Sequence, residues 1–275
     1  MSRPQFGNGP LARPAAFAIS LAMLLSLMTL VPAPPVARAA GVITVTTANQ
    51  EINGDANCSL QEAIYSANLD ANLAPDPADP GGIGFVTTGC ASGDGADTIV
   101  LPAGSVFSIT APVDDVDNPL GPTGTPVIYT TIVIEGNGAV LQRTGSVPVR
   151  AFAVASDLEL VAGSGDLTIR NLHVRNFFAR GGDGGNGGGG GLGAGGAIYV
   201  REAALTVENS TFEANAAQGG NGGSGSAQGA GGGGGGLGGN GGRAHGPVED
   251  RFTSGAGGGG GARGNGGASL VNGPY

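Results

Sequence analysis

The 275-residue sequence contains no lysine and no tryptophan. Without lysine there is no Walker A loop, no Schiff-base chemistry and no lysine general base. The glycine tracts match G-x-x-x-x-G and G-x-G-x-x-G by abundance alone, so those matches carry no meaning. The missing tryptophan, with only 5% aromatic residues, argues against a sugar-stacking lectin groove, although four tyrosines remain. Two cysteines and two distant histidines lack the ligand spacing of a metal site. No segment after residue 40 is long and apolar enough to span a bilayer. Amphipathic helix patterns between the strand-like runs are also missing, which disfavours alternating βαβ units.

The first 40 residues read as a secretion signal. Arg3 and Arg13 supply a positive start, Phe17 to Val31 is apolar, and Pro32, Pro34 and Pro35 follow at once. Ala37-Arg38-Ala39 is an A-x-A site, which places cleavage after Ala39 or Ala40. All 12 basic residues are arginine and three lie in this leader, so the mature charge is 9 − 21 = −12. Such a surface repels nucleic acid and anionic membrane. The expected location is therefore extracellular or at the cell surface. Export also permits a disulfide between Cys58 and Cys90, worth about 4 kcal/mol on the chain-entropy model. Two buried free thiols are the other reading; the bridge is the expectation.

Behind the leader, Cys58 to Asn68 reads CSLQEAIYSAN. Ser59 and Glu62 form a capping box, and Leu60, Ala63, Ile64 and Ala67 fall on one apolar stripe. So short a helix needs a surface to dock on. Strand-like runs surround it: Val42 to Thr46, Thr98 to Leu101, Val106 to Thr110, Val127 to Glu135 and Ala139 to Gln142. More follow at Phe152 to Val154, Leu158 to Val161, Leu167 to Val174, Ala197 to Val200 and Leu205 to Phe212. Ala74 to Gly84 reads as a Pro/Asp/Gly loop. Leu167-Thr168-Ile169-Arg170-Asn171 recurs as Leu205-Thr206-Val207-Glu208-Asn209, with an earlier relative at Thr131 to Gly136. Stacking the copies would set Asn171 over Asn209, where side-chain amides can form a ladder.

Glycine divides the chain: 18 of the 57 lie in residues 1–180 and 39 in the last 95. Two readings of the tracts are open. They are long flexible loops, or, where GGD, GGN, GGG and GGL follow one another from Gly181 to Leu192, extended polyglycine II helices. The Gly-Gly-Asp triplet also resembles calcium-binding glycine repeats, but the tract holds a single aspartate.

CSLQEAIYSAN, with Val42 to Val45 before it and Cys90 and Gly95 to Pro102 after it, resembles the CSLREA domain of secreted bacterial repeat proteins. Gln61 stands where that family usually has arginine, a change expected to touch only a surface contact. Gly195-Gly196-Ala197-Ile198 and Phe212-Glu213-Ala214-Asn215 resemble the GGA(I/L/V) and FxxN repeats of polymorphic outer-membrane proteins. The resemblance implies a right-handed parallel β-helix, a surface location, and an adhesin-like or structural role without catalytic residues.

The organisation expected is a signal peptide over 1–40, an N-terminal cap over 41–110, and parallel coils over 111–218 carrying a glycine-rich insertion at 181–196. A glycine-rich segment over 219–275 would continue into coils of a longer protein. Parallel β-helices also carry polysaccharide lyases and glycoside hydrolases, which is the alternative function. Its weak catalytic candidates are Asp114, Asp115 and Asp117, which with Asn118 could instead bind calcium. No cofactor is otherwise expected. Arg143 and Arg150 lie on or beside later strands; His173 alternates outward, and His245 sits alone in a glycine tract. None of these completes a constellation of acid, base and orienter. The expected partner is an extracellular ligand, such as a glycan or a matrix surface.

Overall fold

A computed structural model describes residues 41–79, 84–113, 118, 120–156, 164–224 and 235–242, with Gly260 and Gly266. The chain divides into two units, Met1–Ala37 and Arg38–Tyr275, and all described residues lie in the second. The described part is mostly strands with one helix.

Seven strands form one parallel sheet. Its main path runs β1 (Val42–Thr44), β4 (Asp97–Val100), β6 (Thr131–Arg143), β8 (Asp166–Arg175) and β11 (Ala204–Glu208). β5 (Val106–Ile109) joins the second half of β6, and β12 (Thr211–Glu213) joins the second half of β8. Alternation explains the faces: Ile43, Ile99, Ile132, Ile134, Leu167 and Ile169 are fully buried, and their neighbours point outward. β6 and β8 turn a corner in mid-strand. Asn137 and Asn171 sit there in the left-handed region, at φ 49 and 51, with Gly138 at φ 75 beside them. Asparagine and glycine are the residues that occupy this region at least cost. The 127–135 run is thus not one strand: β6 begins at Thr131, and Ile128 makes a single parallel bridge to Val154.

Two further parallel pairs follow the same order. β7 (Phe152–Ala155) pairs with β10 (Ile198–Arg201), and β9 (Phe178–Arg180) pairs with β13 (Ala216–Gln218). Ala74 and Pro75, expected in a loop, belong to β2 (Leu73–Pro75), which pairs antiparallel with β3 (Phe85–Thr87). The run at 158–161 lies outside the described residues.

The helix α1 (Leu60–Leu69) has the expected capping box, with Ser59 N–H donating to Glu62 Oε2 at 2.8 Å and Glu62 N–H to Ser59 Oγ at 3.2 Å. The Cys58–Cys90 disulfide forms directly before it, across a Cα–Cα distance of 4.6 Å. Leu60, Ala63, Ile64 and Ala67 join the main core, while Tyr65 packs with Ala74 and Val113 on the other side. The helix is therefore buried nearly all round rather than along one stripe. Gln61 is only 2% exposed, which corrects the expectation of a surface contact. Its Nε2 donates to the Gly124 carbonyl at 2.9 Å. Seven residues on, Asn68 Nδ2 donates to the Val127 carbonyl at 2.7 Å, and its Oδ1 accepts from Tyr129 N–H at 3.3 Å and Thr130 Oγ1 at 3.1 Å. These amides supply partners for backbone groups of residues 124–130 on the side away from Val154.

The described glycine tracts are not free loops; their backbones hydrogen-bond to one another. Gly181, Gly184 and Gly187 donate to the carbonyls of Gln218, Asn221 and Ser224 at 2.9, 2.7 and 3.1 Å. Gly220 and Gly223 donate back to Gly191 and Gly188, both at 2.9 Å, and Gly182 donates to Gly236 at 2.9 Å. The segments lie outside helix and strand, and the three-residue step on both sides is that of a polyglycine II helix. Close approach is what demands glycine here. A Cβ on Gly182 would overlap the Gly239 carbonyl oxygen, and one on Gly223 that of Gly185, whereas one on Gly189 would meet nothing within 4 Å. Gly182→Ala should therefore cost about 1–3 kcal/mol through overpacking, and Gly189→Ala should be neutral or slightly stabilising. Chemical denaturation of the two variants checks this; equal stability would contradict a packed layer.

Candidate functional site

The sequence-derived candidates do not converge on one place. Asp114, Asp115, Asp117 and His245 lie outside the described residues. Asn118 is buried and committed to its own turn: Nδ2 donates to the Gly121 carbonyl and to Thr123 Oγ1, each at 2.9 Å, and Oδ1 accepts from Leu120 N–H at 2.8 Å. His173 is exposed on β8, with Nδ1 at 2.6 Å from Thr211 Oγ1. Asn171 and Asn209 occupy matching left-handed corners at φ 51 and 46, between the aligned pairs Arg170–Glu208 and His173–Thr211. The Asn171 amide does not extend an asparagine ladder to Asn209; it donates to Glu135 Oε1 at 2.7 Å. Arg143 is held by the Asn176 carbonyl at 2.9 Å and lies 6.0 Å from the Phe178 ring centroid. Among the described residues no group of three or more His, Cys, Asp or Glu could hold a metal ion.

Arg150 stands apart. It lies just before β7, flanked by Val149 and Ala151, and is only 1% exposed. Nε donates to the Ala194 carbonyl at 2.7 Å and Nη1 to the Leu120 carbonyl at 3.0 Å. The guanidinium carbon lies 5.4 Å from the Tyr199 ring centroid, in cation–π range. Among the described residues, Nη2 is buried with no hydrogen-bond partner and no carboxylate pairs with this charge. Desolvation pulls its pKa below the usual arginine value, with Tyr199 opposing. A buried charge without a counter-charge is costly, so this site carries unspent binding capacity.

A cleft of about 210 Å³ opens beside it, lined by Pro148, Arg150, Arg180, Gly182, Gly238 and Asn240 among others. Gly181, Gly182 and Gly238 of the glycine layer form part of its lining. Arg180 Nη2 pairs with Asp183 Oδ1 at 2.6 Å, and Asn221 N–H donates to the same oxygen at 2.7 Å. Asp183 N–H donates to Asn240 Oδ1 at 2.7 Å. The lone aspartate of the tract thus pins three glycine segments together. The described residues lining the cleft include no carboxylate, histidine, cysteine or hydroxyl, so they offer charge recognition without a general acid or base. A second recess of about 240 Å³, bordered by Gln50, Glu51 and Gln61, carries no cation.

Arg150 had one sequence signal: an arginine inside the run Val147-Pro148-Val149-Arg150-Ala151-Phe152, apolar on both sides. Its neighbours in space, Leu120, Ala194 and Tyr199, are distant in sequence and carried none. The chain matches no protein-family model, no curated protein and no solved structure.

The Asn221 N–H first, and then Arg180, hold the Asp183 carboxyl below its ordinary value. A lowered folded-state pKa adds stability above the unfolded value of 3.8, and that stability is lost as pH falls through the folded value. Asp183→Asn should therefore be less stable than the parent at neutral pH. The gap in melting temperature should close as pH falls from about 5 to below the unfolded value. Parallel melting curves across that range would contradict the clamp.

Proposed function

We propose that this chain is a secreted or cell-surface module built as a right-handed parallel β-helix, with a structural or adhesin-like binding role and no catalysis. The observation that carries the reading is one offset kept around successive corners. Asp166 aligns with Ala204, His173 with Thr211, and Phe178 with Ala216. Hydrogen bonds from Leu172 to Ser210 and from Phe177 to Asn215 keep the same separation of 38 residues. Strands of a sandwich have no reason to share one offset across three differently facing pairs; successive turns of a solenoid do. The earlier pairing of β6 with β8 keeps 35 residues before the corner, as in Ile132 with Leu167.

The resemblance to the CSLREA domain agrees with this architecture, because α1 packs where the first strands begin. Among the described residues no helix is long and apolar enough to cross a membrane, and the disulfide is compatible with an oxidising compartment. Outward-facing side chains such as Glu135, Arg170, His173, Arg175 and Glu208 give a polar, exposed face suited to recognition.

A glycan and matrix-protein array probed with the purified chain tests the role. Saturable binding to a defined group of spots is expected. Release of unsaturated or hydrolysed products from a polysaccharide panel would overturn the non-catalytic reading in favour of a lyase or hydrolase. Asp114, Asp115 and Asp117 changed to Asn should then abolish that activity.

A further inference from the structure

The cleft beside Arg150 deepens the binding role proposed above, and relies on it only for where the ligand comes from. Three observations meet there. A guanidinium that is 1% exposed has no carboxylate partner among the described residues, and its Nη2 has no hydrogen bond to them. A second arginine, Arg180, lines the same space, its charge shared with Asp183 at 2.6 Å. Gly181, Gly182 and Gly238 also line the cleft, and having no side chains they leave room for a ligand.

We propose that this cleft binds one anionic group, a carboxylate carried on a ligand of about monosaccharide size, between Arg150 and Arg180. Charge decides the class. Arg150 has no counter-ion among the described residues and sits in low dielectric, where neutralising it is worth far more than at the surface. Size narrows it, since about 210 Å³ is below the roughly 300–1,000 Å³ of sites for drug-sized ligands. The mature charge of −12 repels polyanions over distance, so a single charge or a chain end is favoured over a densely charged polymer. Asn240 and the apolar edges of Val147, Pro148 and Ala179 complete a lining that can hold the uncharged part of such a ligand.

The test is titration of the purified chain with sodium glucuronate, sodium acetate, inorganic phosphate and neutral glucose. The readouts are the amide shifts of Gly182 and Asn240 and the arginine Nε–H signals. Saturable shifts with glucuronate and none with glucose are expected. Acetate or phosphate saturating equally well would assign the same site to free anions rather than sugar-borne ones. Arg180→Gln should weaken binding about tenfold, the usual worth of a charge-assisted hydrogen bond. Arg150→Gln should abolish it, and Arg201→Gln, at the end of β10 and outside the cleft lining, should leave it unchanged. Arg180 is partly exposed, so its variant decides the matter even where Arg150→Gln fails to fold. No saturation by any anion, equal shifts with glucose, or full affinity in Arg180→Gln would each overturn the site. Array binding with an unresponsive cleft would sink this proposal alone.

Discussion

Backbone groups left over at the margins of parallel strands are the constraint on which the structure depends. An unpaired buried carbonyl or amide costs about 1–3 kcal/mol, so each margin needs a partner. Beside residues 124–130 the partner is a helix, which cannot hydrogen-bond to a strand through its own backbone. It does so through two amide side chains, Gln61 and Asn68, set seven residues apart on one face. The capping box and the Cys58–Cys90 bridge fix the start of that helix, so both amides arrive in register. Leucine or isoleucine at either position would pack well and leave the carbonyls bare.

The other margin is met by glycine. Residues 181–196 and 219–224 have almost no side chains to bury, so hydrophobic burial cannot hold these segments together. Backbone hydrogen bonds between neighbouring extended segments do so instead, at a separation that a Cβ on Gly182, Gly190 or Gly223 would not allow. Glycine's large entropic cost is offset only because many such bonds form at once. Asp183 adds a polar anchor, joining Arg180, Asn221 and Asn240. The same layer lines part of the arginine cleft, so the packing of the tracts and the proposed anion site share residues.

Much of this was legible in the sequence, for physical reasons. The capping box, the strand alternation and the Asn171/Asn209 repeat are local patterns, and each appears where its pattern placed it. The burial of Gln61 was not legible, because periodicity counts apolar residues and an amide facing a carbonyl looks like an amide facing water. The amide of Asn171 was expected along a ladder, yet a glutamate one strand earlier is a stronger acceptor than a neighbouring amide. In the glycine tracts the period of three was visible, but the choice between loop and layer depends on distant partners, such as Asp183 and Asn240, 57 residues apart. Arg150 was passed over because its environment is assembled from three distant segments. Asp114, Asp115 and Asp117 lie outside the described residues, so the sequence alone speaks for them.

The claim common to all of this is that backbone groups of residues 124–130 are bonded by helix amides and those of the glycine segments by one another. Residue-resolved amide hydrogen exchange tests it most directly. The account predicts that Tyr129, Gly184, Gly191 and Gly220, whose N–H groups are bonded to Asn68, Asn221, Gly182 and Gly191, exchange as slowly as amides within β6 and β8. Glycine amides exchanging at the rate of an unstructured chain, while β6 and β8 stay protected, would contradict it.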